Sequence, residues 1–600
     1  MKSKIHEFLV KSITTTSKKI LQITSLLIFT TSFGQNILEL NPTNFPVTQP
    51  CGFTQFNNKL FYIGSNTAFG REMWLTDGTL VGNQLLKDIG FYLGSPQFGA
   101  FGDLSALESS GKTYDYQGKL FFSTQSSYTG VNGNVWTTDG TTAGTISFDP
   151  TASKISSLRY FKEFNNRLYF TAQNNSSGRE IWSTDGTLAG TTLLKDITPG
   201  GNGGVNFDPG FTIMNNKIYF KADDGIHGIE LWSTDGTEVR TNMVVDINVG
   251  ANSTFFTGNG LDEHLKVANN KIFFRGKGTG NFSGPTVLYV TDGSAVGTNK
   301  LTYQNVYNNT IVYDGSGLTV LNNTLYFFSN RTILASDGVS SLPQGGIFTT
   351  DGTNNGTVLV KDIGGVIDMY VGDNGLSDYE TTPNSMRIFN SKAYFLAGQQ
   401  LWSTDGTESG TTQITNYTLD YQNNRMVSQI FDNKLYFTRN NGPSPSPLTG
   451  IYSTDGTSAG TQFEAKQKEN NNTTAQAAGI VQLPQQMTSF GSSLYFAASF
   501  STSPTSLWRI TNPSLKVNEN VIAKLSLFPN PTSSQINLSF ENNLESASLK
   551  IISLLGQTVL EKQNLSGNNL SLDVQNLSNG VYVIKVTDGE LIFNSKFIKQ

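Results

Sequence analysis

The segment Glu230–Thr237 reads ELWSTDGT and returns, with small changes, along most of the 600-residue chain. Its TDG tripeptide occurs eight times in these repeats at intervals of 46 to 62 residues, with the aspartates Asp77, Asp139, Asp185, Asp235, Asp292, Asp351, Asp405 and Asp455. A ninth TDG, at 587–589, lacks the preceding aromatic residue and is interpreted as an ordinary turn. A regular return at this spacing indicates a repeat protein in which each repeat is one supersecondary unit. The motif is therefore either a site copied from unit to unit or a part of the scaffold.

A second element precedes each motif and predicts a β-hairpin. It reads FNNRLYFTA at 164–172 and MNNKIYFKA at 214–222, and it occurs nine times. Two turn-forming residues between apolar runs are typical of a tight hairpin. Asp-Gly then supplies the positive φ of a second turn, and the aspartate oxygen can accept bonds from nearby N–H groups. Another glycine follows four residues after the TDG glycine in seven of eight copies, Arg240 being the exception, so we expect the backbone to require glycine at both places.

A large aromatic side chain stands at one fixed place in all nine units: Trp74, Trp136, Trp182, Trp232, Tyr289, Phe348, Trp402, Tyr452 and Trp508. Such side chains fill the space between stacked sheets, so we interpret them as packing positions and the TDG aspartates as structural turns. Four strands per unit predict an all-β fold, a β-propeller of about eight or nine four-stranded blades. The ninth unit lacks its last strand, and residues 36–43 resemble it, so we expect this N-terminal strand to complete the ring. A β-solenoid is the rival architecture.

These units resemble the ELWxTDGTxxGTxLVKDI repeats of secreted Bacteroidetes proteins. The best matches are REMWLTDGT at 71–79, REIWSTDGT at 179–187 and IELWSTDGT at 229–237. The resemblance implies a propeller and, for most such proteins, no assigned activity. Units five to eight depart from the pattern, because they lack the glutamate before the aromatic residue and keep LVKDI clearly only at 359–363.

The first 35 residues have the pattern of a secretory signal. Five lysines precede an apolar run at 20–33 that is too short to span a bilayer comfortably. We therefore expect residues 1–35 to be removed and the mature chain to have no transmembrane helix. A formal net charge of −5 offers nothing to a phosphate backbone, so nucleic acid is not expected as a partner. The single cysteine, Cys51, cannot form an internal disulfide.

The sequence pattern changes after a polar segment at 511–523, which we interpret as a linker. The propeller is therefore predicted to span residues 36–510. Apolar alternation with close turns predicts about seven strands over 524–600, a small Ig-like β-sandwich. This segment closely resembles the type A sorting domain of the type IX secretion system, through FPNP (528–531), LLGQTV (554–559) and SNGVYVIKV (578–586). The resemblance implies that residues 524–600 engage the type IX machinery and that the protein reaches the cell surface or the medium.

Calcium is the one cofactor with candidate residues. Carboxylates at turns suit Ca²⁺, but one aspartate per turn falls far short of the six to eight oxygens this ion takes. Asp223, Asp224 and Glu230 are the best candidate ligands, with a solvated loop as the competing interpretation. No other metal or cofactor is predicted.

Catalytic motifs are not found in the sequence. Glu72, Glu180 and Glu230 recur at one strand position, which favours a turn bond or a strand-end salt bridge over catalysis. His227, His264 and Cys51 have no accompanying motif, so we expect structural or surface roles for them.

Two segments, 91–116 and 364–388, are longer than the corresponding parts of the other repeats. The second carries Tyr370, Asp373, Asp378 and Tyr379, which would suit sugar rings by stacking and hydroxyl bonding, although tolerated insertions are the alternative. We predict a non-catalytic binding or adhesion scaffold for a glycan or a surface protein. A polysaccharide-acting lyase or hydrolase, with catalytic residues from separate blades, and a purely structural surface protein are the competing hypotheses.

Overall fold

The computed structural model describes residues 36–40, 47–79, 82–89, 101, 113–124, 135–148, 155–255, 265–278, 286–304, 310–313, 315–334, 341–363, 386–397, 400–415, 428–439, 450–464, 480–482, 486–500, 505–511, 525–553, 558–588 and 591–600. Within these ranges every regular element is a β-strand. No helix in this described part is long and apolar enough to cross a membrane. The chain divides into two compact units, Met1–Asn512 and Pro513–Gln600.

In its described residues the first unit is a β-propeller of nine antiparallel sheets, the blades, each with strands A to D side by side. The four strands follow chain order in blades 1 to 8, whereas strand D of blade 9 is the N-terminal strand. In blades 1 to 5 the strands are Thr48–Phe56, Lys59–Asn66, Gly70–Thr76 and Gln84–Leu85; Tyr114–Tyr116, Lys119–Ser123, Val135–Thr138 and Ile146–Ser147; Ser156–Phe164, Arg167–Asn174, Gly178–Thr184 and Thr192–Lys195; Thr212–Met214, Lys217–Asp223, Ile229–Thr234 and Asn242–Val245; Lys266–Ala268, Lys271–Lys277, Thr286–Thr291 and Asn299–Lys300. The prediction of eight or nine four-stranded blades is confirmed, with nine.

The remaining blades repeat this plan. Blades 6 to 9 consist of Ser316–Leu321, Thr324–Leu334, Ser341–Thr350 and Val358–Asp362; Arg387–Phe389, Lys392–Ala397, Gln400–Thr404 and Thr412–Gln413; Ser428–Phe431, Lys434–Arg439, Gly450–Thr454 and Gln462–Phe463; Met487–Phe490, Ser493–Phe500, Ser506–Thr511 and Asn36–Glu39. A small hairpin, Thr302–Gln304 with Thr310–Val312, follows blade 5, and Ile480–Gln482 pairs with strand B of blade 9.

The N-terminal strand completes blade 9. Asn36–Glu39 pairs antiparallel with Ser506–Thr511, and Asn36 lies opposite Thr511. The Leu40 N–H continues this contact by donating to the Leu507 carbonyl at 2.9 Å. Thr511 therefore belongs to the propeller rather than to the linker predicted at 511–523, the rest of which lies outside the described residues.

Apolar clusters lie at all nine blade interfaces, which closes the ring. The alternation of a strand explains how one blade serves two interfaces. In strand B of blade 3, Phe170 packs towards blade 2 beside Phe121, whereas Tyr169 packs towards blade 4 beside Phe220. The cluster that joins Tyr495 to Leu60 links blade 9 back to blade 1.

The two faces of the ring are built differently. All nine A–B turns consist of two residues, and all eight C–D turns that follow a TDG motif consist of seven, as at 185–191. These turns share one side, here called the turn face, because turns of neighbouring blades bond to each other: Asn57 Nδ2, in the A–B turn of blade 1, donates to the Asp139 carbonyl in the C–D turn of blade 2 at 3.0 Å. The B–C loops and the D–A connectors leave from the opposite side, the loop face, and vary from the 2 residues 398–399 to the 28 residues 86–113.

The second unit is all-β, and its five described strands, which are hydrogen-bonded into one antiparallel sheet, are Leu525–Phe528, Gln535–Ser553, Thr558–Asp573, Gly580–Asp588 and Leu591–Lys599. The two long strands Gln535–Ser553 and Thr558–Asp573 pair with each other through several register shifts. The unit has one hydrophobic core, which includes Ile536 and Leu549 of the first long strand together with Ile584 and Phe597 of the last two strands. The prediction of about seven strands is wrong for the described residues. Each of these two long strands covers a stretch that the sequence pattern predicts as more than one short strand.

Candidate functional site

The TDGT motif folds into a self-contained hydrogen-bonded turn. In blade 3, Asp185 Oδ1 accepts bonds from the Thr187 N–H at 2.9 Å and the Thr187 hydroxyl at 2.7 Å. The Thr191 hydroxyl donates to the Thr187 carbonyl at 2.7 Å and also lies within hydrogen-bond distance of the Thr184 hydroxyl, at 2.8 Å. The same Asp bonds recur in all eight turns. One oxygen of each aspartate is thus committed to the turn.

The two glycines of this turn are needed for different reasons. Gly186 has a φ of +90°, which glycine adopts without strain. Gly190 has no positive φ, but a Cβ built on it would lie 2.0 Å from Asp185 Oδ1. The expectation of a backbone reason at both places is therefore wrong for the second glycine, where the constraint is room for the carboxylate. In blade 4, Arg240 stands at this place and its guanidinium lies 3.5 Å from Asp235 Oδ2.

The repeated aromatic residues lie inside the blade interfaces. Seven are buried: Trp74, Trp182, Trp232, Tyr289, Phe348, Tyr452 and Trp508. Trp136 and Trp402 are partly buried and pack against the same clusters. Each lies directly opposite an aromatic residue of strand B, as Trp182 does opposite Phe170. These positions support the packing role and leave none of the nine as a surface platform.

A tyrosine of one blade covers the TDG glycine of the next. A Cβ on Gly236 of blade 4 would lie 2.5 Å from the Tyr169 hydroxyl of blade 3. The same contact joins Tyr219 to Gly293, Tyr326 to Gly406, Tyr394 to Gly456 and, across the closure of the ring, Tyr495 to Gly78. The motif is therefore a contact between blades as well as a turn. Sequence analysis missed this contact, because it joins two different blades.

The recurring glutamates lie at the interfaces and are fully buried. Glu180 Oε1 accepts N–H bonds from Ile197 and Thr198 at 3.1 Å and from Gly204 at 2.8 Å. Glu230 accepts bonds from the Ile247 N–H at 3.2 Å and from the N–H and hydroxyl of Thr254. Each glutamate thus holds the connector that leads to the following blade. Burial raises the pKa of both carboxyls to about 7.

The predicted calcium ligands do not converge. Asp224 Oδ1 accepts bonds from the Ile226 and His227 N–H groups, and its Oδ2 lies 2.7 Å from His227 Nδ1. Asn174 makes the same turn in blade 3, where Oδ1 accepts the N–H groups of Ser176 and Ser177. Asp223 caps its own turn through the Gly225 N–H. Among the described residues, no three His, Cys, Asp or Glu side chains lie close enough together to hold a metal ion.

The other candidate residues are separated from one another. His227 lies on the loop face in the pair with Asp224, which raises the pKa of the imidazole through the bond to the Asp224 carboxylate. Cys51 is buried in blade 1, where its sulfur accepts a bond from Arg71 Nη2 at 3.1 Å. His264, the greater part of 91–116, and Tyr370, Asp373, Asp378 and Tyr379 lie outside the described residues.

In the sorting unit, the FPNP segment is hydrogen-bonded to the last strand. Asn530 Nδ2 donates to the Lys596 carbonyl at 3.1 Å, and Asn530 Oδ1 accepts the Ile598 N–H at 2.8 Å. The Gln600 N–H donates to the Thr532 carbonyl at 2.9 Å. The C-terminal strand is therefore ordered against the start of the same unit. Residues 554–557 of LLGQTV lie outside the described part of the chain.

Comparison with solved structures finds distant similarities. The β-propeller domain of the Trilobed protease from Pyrococcus furiosus is 11% identical, with a TM-score of 0.27 over 59% of this chain and 94% of that domain. A puromycin-hydrolyzing peptidase from Mycobacterium tuberculosis is 9% identical, with a TM-score of 0.33 over 67% of this chain and 60% of that one. An alpha-L-arabinofuranosidase from Clostridium thermocellum is 11% identical, with a TM-score of 0.20 over 52% and 94%. At these values the named activities say nothing about this chain.

Comparison with curated proteins and families is more informative at the C-terminus. A protein named ulvan lyase NLR42, from Nonlabens ulvanivorans, is 30% identical over 97 residues, which span 16% of this chain and 17% of that protein. Residues 526–600 match the family described as the secretion system C-terminal sorting domain. The predicted localisation is thereby confirmed. The chain is a β-propeller that carries a type IX sorting domain and is directed to the cell surface or the extracellular space.

Proposed function

We propose that the propeller is a non-catalytic binding or adhesion scaffold whose ligand, a glycan or a surface protein, docks on the loop face. The observation that carries this proposal is the contrast between the faces. Every turn on the turn face has a fixed length, whereas the loop-face segments range from 2 to 28 residues. Binding residues concentrate in variable loops that a rigid scaffold holds in place.

The polar groups of the repeat support a scaffold role. The eight turn aspartates accept bonds within their own turns, and Glu180 and Glu230 accept the N–H groups of connectors. A catalytic acid or base must instead reach a substrate proton directly or through one water molecule. The likeness of the repeats to those of secreted Bacteroidetes proteins agrees with this role and stays a prediction.

The competing function is that of a polysaccharide-acting enzyme. The observation in its favour is the 97-residue similarity to a protein named an ulvan lyase. Because the alignment spans 17% of that protein, it supports testing ulvan both as a ligand and as a substrate.

The test is a glycan-array and ulvan-binding assay on the chain from Asn36 to Gln600, with product release monitored in parallel. The test variant combines Tyr370→Ala with Tyr379→Ala, which fall in the sequence between strand D of blade 6 and strand A of blade 7, and the control variant combines Val239→Ala with Val296→Ala. The two valines are 86% and 93% exposed in C–D turns of the turn face. Binding lost only in the tyrosine variant supports the proposal. Accumulation of unsaturated or reducing sugar ends would establish the enzyme instead, and loss of binding in the valine variant would refute the loop face.

A further inference from the structure

Two acidic side chains lie close together in blade 3: Glu180 on strand C and Asp196, the residue that follows strand D. Ile181 pairs with Lys195, which places Glu180 opposite Asp196. Leu231 pairs with Val245 in blade 4, which places Glu230 opposite Asp246 in the same way. Directly opposite residues have Cβ atoms about 4.5–5.5 Å apart, and like charges at that separation destabilise a sheet. The arrangement is therefore relieved either by a compensating positive charge or by a proton on one of the two carboxyls.

No such charge reaches the blade 3 pair from the described residues. Glu180 is fully buried, and Glu180 Oε2 and Asp196 Oδ1 are both buried without a hydrogen-bond partner. The adjacent ammonium group, Lys195 Nζ, donates instead to the Thr241 carbonyl of blade 4 at 2.7 Å. Three N–H donors converge on Glu180 Oε1, which fixes this carboxylate and favours its charged form.

Blade 4 differs in two respects. Both carboxylate oxygens of Glu230 accept hydrogen bonds, although Asp246 Oδ1 is buried without a partner as Asp196 Oδ1 is. Burial lowers the pKa of Lys277, on strand B of blade 5, and the nearby Glu230 carboxylate opposes that shift. An ammonium group thus lies near the blade 4 pair. In the repeat, KIFFRGK (271–277) corresponds to KIYFKAD (217–223), so the residue equivalent to Lys277 beside blade 3 is Asp223. The blade 3 pair has an acidic residue where the blade 4 pair has a basic one.

We propose that Glu180 and Asp196 bind a divalent cation, with Ca²⁺ as the ion that fits best. Two carboxylate oxygens without partners are hard ligands of the kind Ca²⁺ takes, and backbone carbonyls and water commonly complete its six to eight oxygens. Mg²⁺ fits less well, since it demands near-ideal octahedral geometry and dehydrates reluctantly. The ligand set differs from Asp223, Asp224 and Glu230, which do not converge.

The cation would secure the connector between two blades. Asp196 is the first residue of the connector 196–211, and the next two, Ile197 and Thr198, donate to Glu180. The Thr198 hydroxyl bonds to the Asp223 carbonyl of blade 4. A metal ion between Glu180 and Asp196 therefore fixes a loop-face segment in place without touching the loop-face ligand, so this inference stands apart from the proposed function.

The experiment measures Tb³⁺ luminescence and Ca²⁺-dependent melting of the chain from Asn36 to Gln600 at pH 8. Trp182 lies two residues from Glu180 on the same face of strand C and is placed to sensitise a bound lanthanide. We expect sensitised emission that Ca²⁺ displaces, and a rise in Tm on titration with CaCl2 up to about 10 mM, since extracellular sites bind at about 10⁻⁴–10⁻³ M.

Asp196→Asn is the test variant and Asp246→Asn, at the equivalent position of blade 4, is the matched control. Asp196→Asn should weaken Tb³⁺ and Ca²⁺ binding by at least about tenfold, whereas Asp246→Asn should leave both unchanged. Trp182→Phe should remove the emission but keep the Ca²⁺ effect on Tm.

Unchanged cation binding in Asp196→Asn would overturn the proposal, as would a wild-type chain that responds to neither ion. If the wild-type chain ignores both ions, and Asp196→Asn removes a stabilisation that grows as the pH falls, the two carboxyls share a proton and the cation is refuted. If Asp196→Asn fails to fold, Glu180→Gln provides the same comparison through luminescence alone.

Discussion

The contact between Tyr169 and Gly236 predicts that one methyl group will have different effects in two turns of the same type. Gly236 has a φ of +100° and Gly140 a φ of +92°, so alanine should suffer similar backbone strain at both, about 1–2 kcal/mol. At Gly140 the nearest atom to a new Cβ is Phe61 Cζ at 3.5 Å, an ordinary contact. At Gly236 it is the Tyr169 hydroxyl at 2.5 Å, on a ring that is 2% exposed and cannot swing away.

Overpacking of this kind costs about 1–3 kcal/mol beyond the backbone strain. We therefore expect Gly236→Ala to destabilise the propeller by about 2–5 kcal/mol and Gly140→Ala by about 1–2 kcal/mol. The unfolding entropy of a unit of this size is about 1 kcal/mol/K, so each kcal/mol lowers Tm by about 1 °C. Scanning calorimetry at one fixed scan rate should resolve a difference of about 1–3 °C between the two variants.

Tyr169→Phe supplies the decisive control, because phenylalanine occupies this position naturally as Phe61, Phe121 and Phe273. Alone it should change Tm little, and combined with Gly236→Ala it should bring Tm back to the level of Gly140→Ala. Equal losses in the two alanine variants, or no recovery in the double variant, would show that the tyrosine contact does not carry the cost.

The turn aspartates predict that the folded protein is sensitive to acid. Hydrogen bonds from the Thr187 hydroxyl and N–H lower the pKa of Asp185. The contribution of Asp185 to the stability of the fold is therefore present above about pH 4 and is lost as the pH falls through the folded-state pKa. Asp185→Asn should lower Tm at pH 7 and flatten the fall in Tm below pH 4; an unchanged slope would contradict this. Burial raises the pKa of Glu230 to about 7, so the folded state holds a proton that the unfolded state has released, and stability should decrease as the pH rises from about 4.5 to 7. Glu230→Gln should flatten that decrease when Tm is measured in EDTA, and parallel curves for variant and wild type would refute it. Deletion of residues 36–40 should lower Tm markedly, because strand C of blade 9 loses its outer partner, whereas a Gly/Ser replacement of 41–45 should not; equal effects would show that pairing at Asn36–Glu39 is not what closes the ring.

The periodic features of the fold could be predicted from the sequence. The TDG spacing, the Asn-Asn turns and the aromatic positions are local signals that repeat, so they gave the blades, and the likeness of residues 36–43 to a missing strand gave the closure. Strand continuation in the sorting unit could not be predicted, because Gln535–Ser553 contains polar residues that resemble turns.

Contacts between blades were largely missed in the sequence analysis, because they depend on which blades are neighbours. The link from Glu180 to its connector did leave a signal. Ile197 and Gly204 follow Glu180 by 17 and 24 residues, and Ile247 and Thr254 follow Glu230 by the same intervals. Equal spacing in two units indicates a shared contact. The loop-face segments as a whole allow no such comparison, because the lengths of the B–C loops and D–A connectors differ from blade to blade.

The pairing of Asn36–Glu39 with Ser506–Thr511 also determines the order of events when the protein is made. A chain that emerges N-terminus first produces its closing strand at the outset and the partner strand more than 400 residues later. Until then, blade 1 lacks a neighbour on one side, and exposed strand edges are the usual route to aggregation. Closure is a contact of very high sequence separation, which makes it slow. We therefore expect the ring to become complete only after the ninth blade has been made.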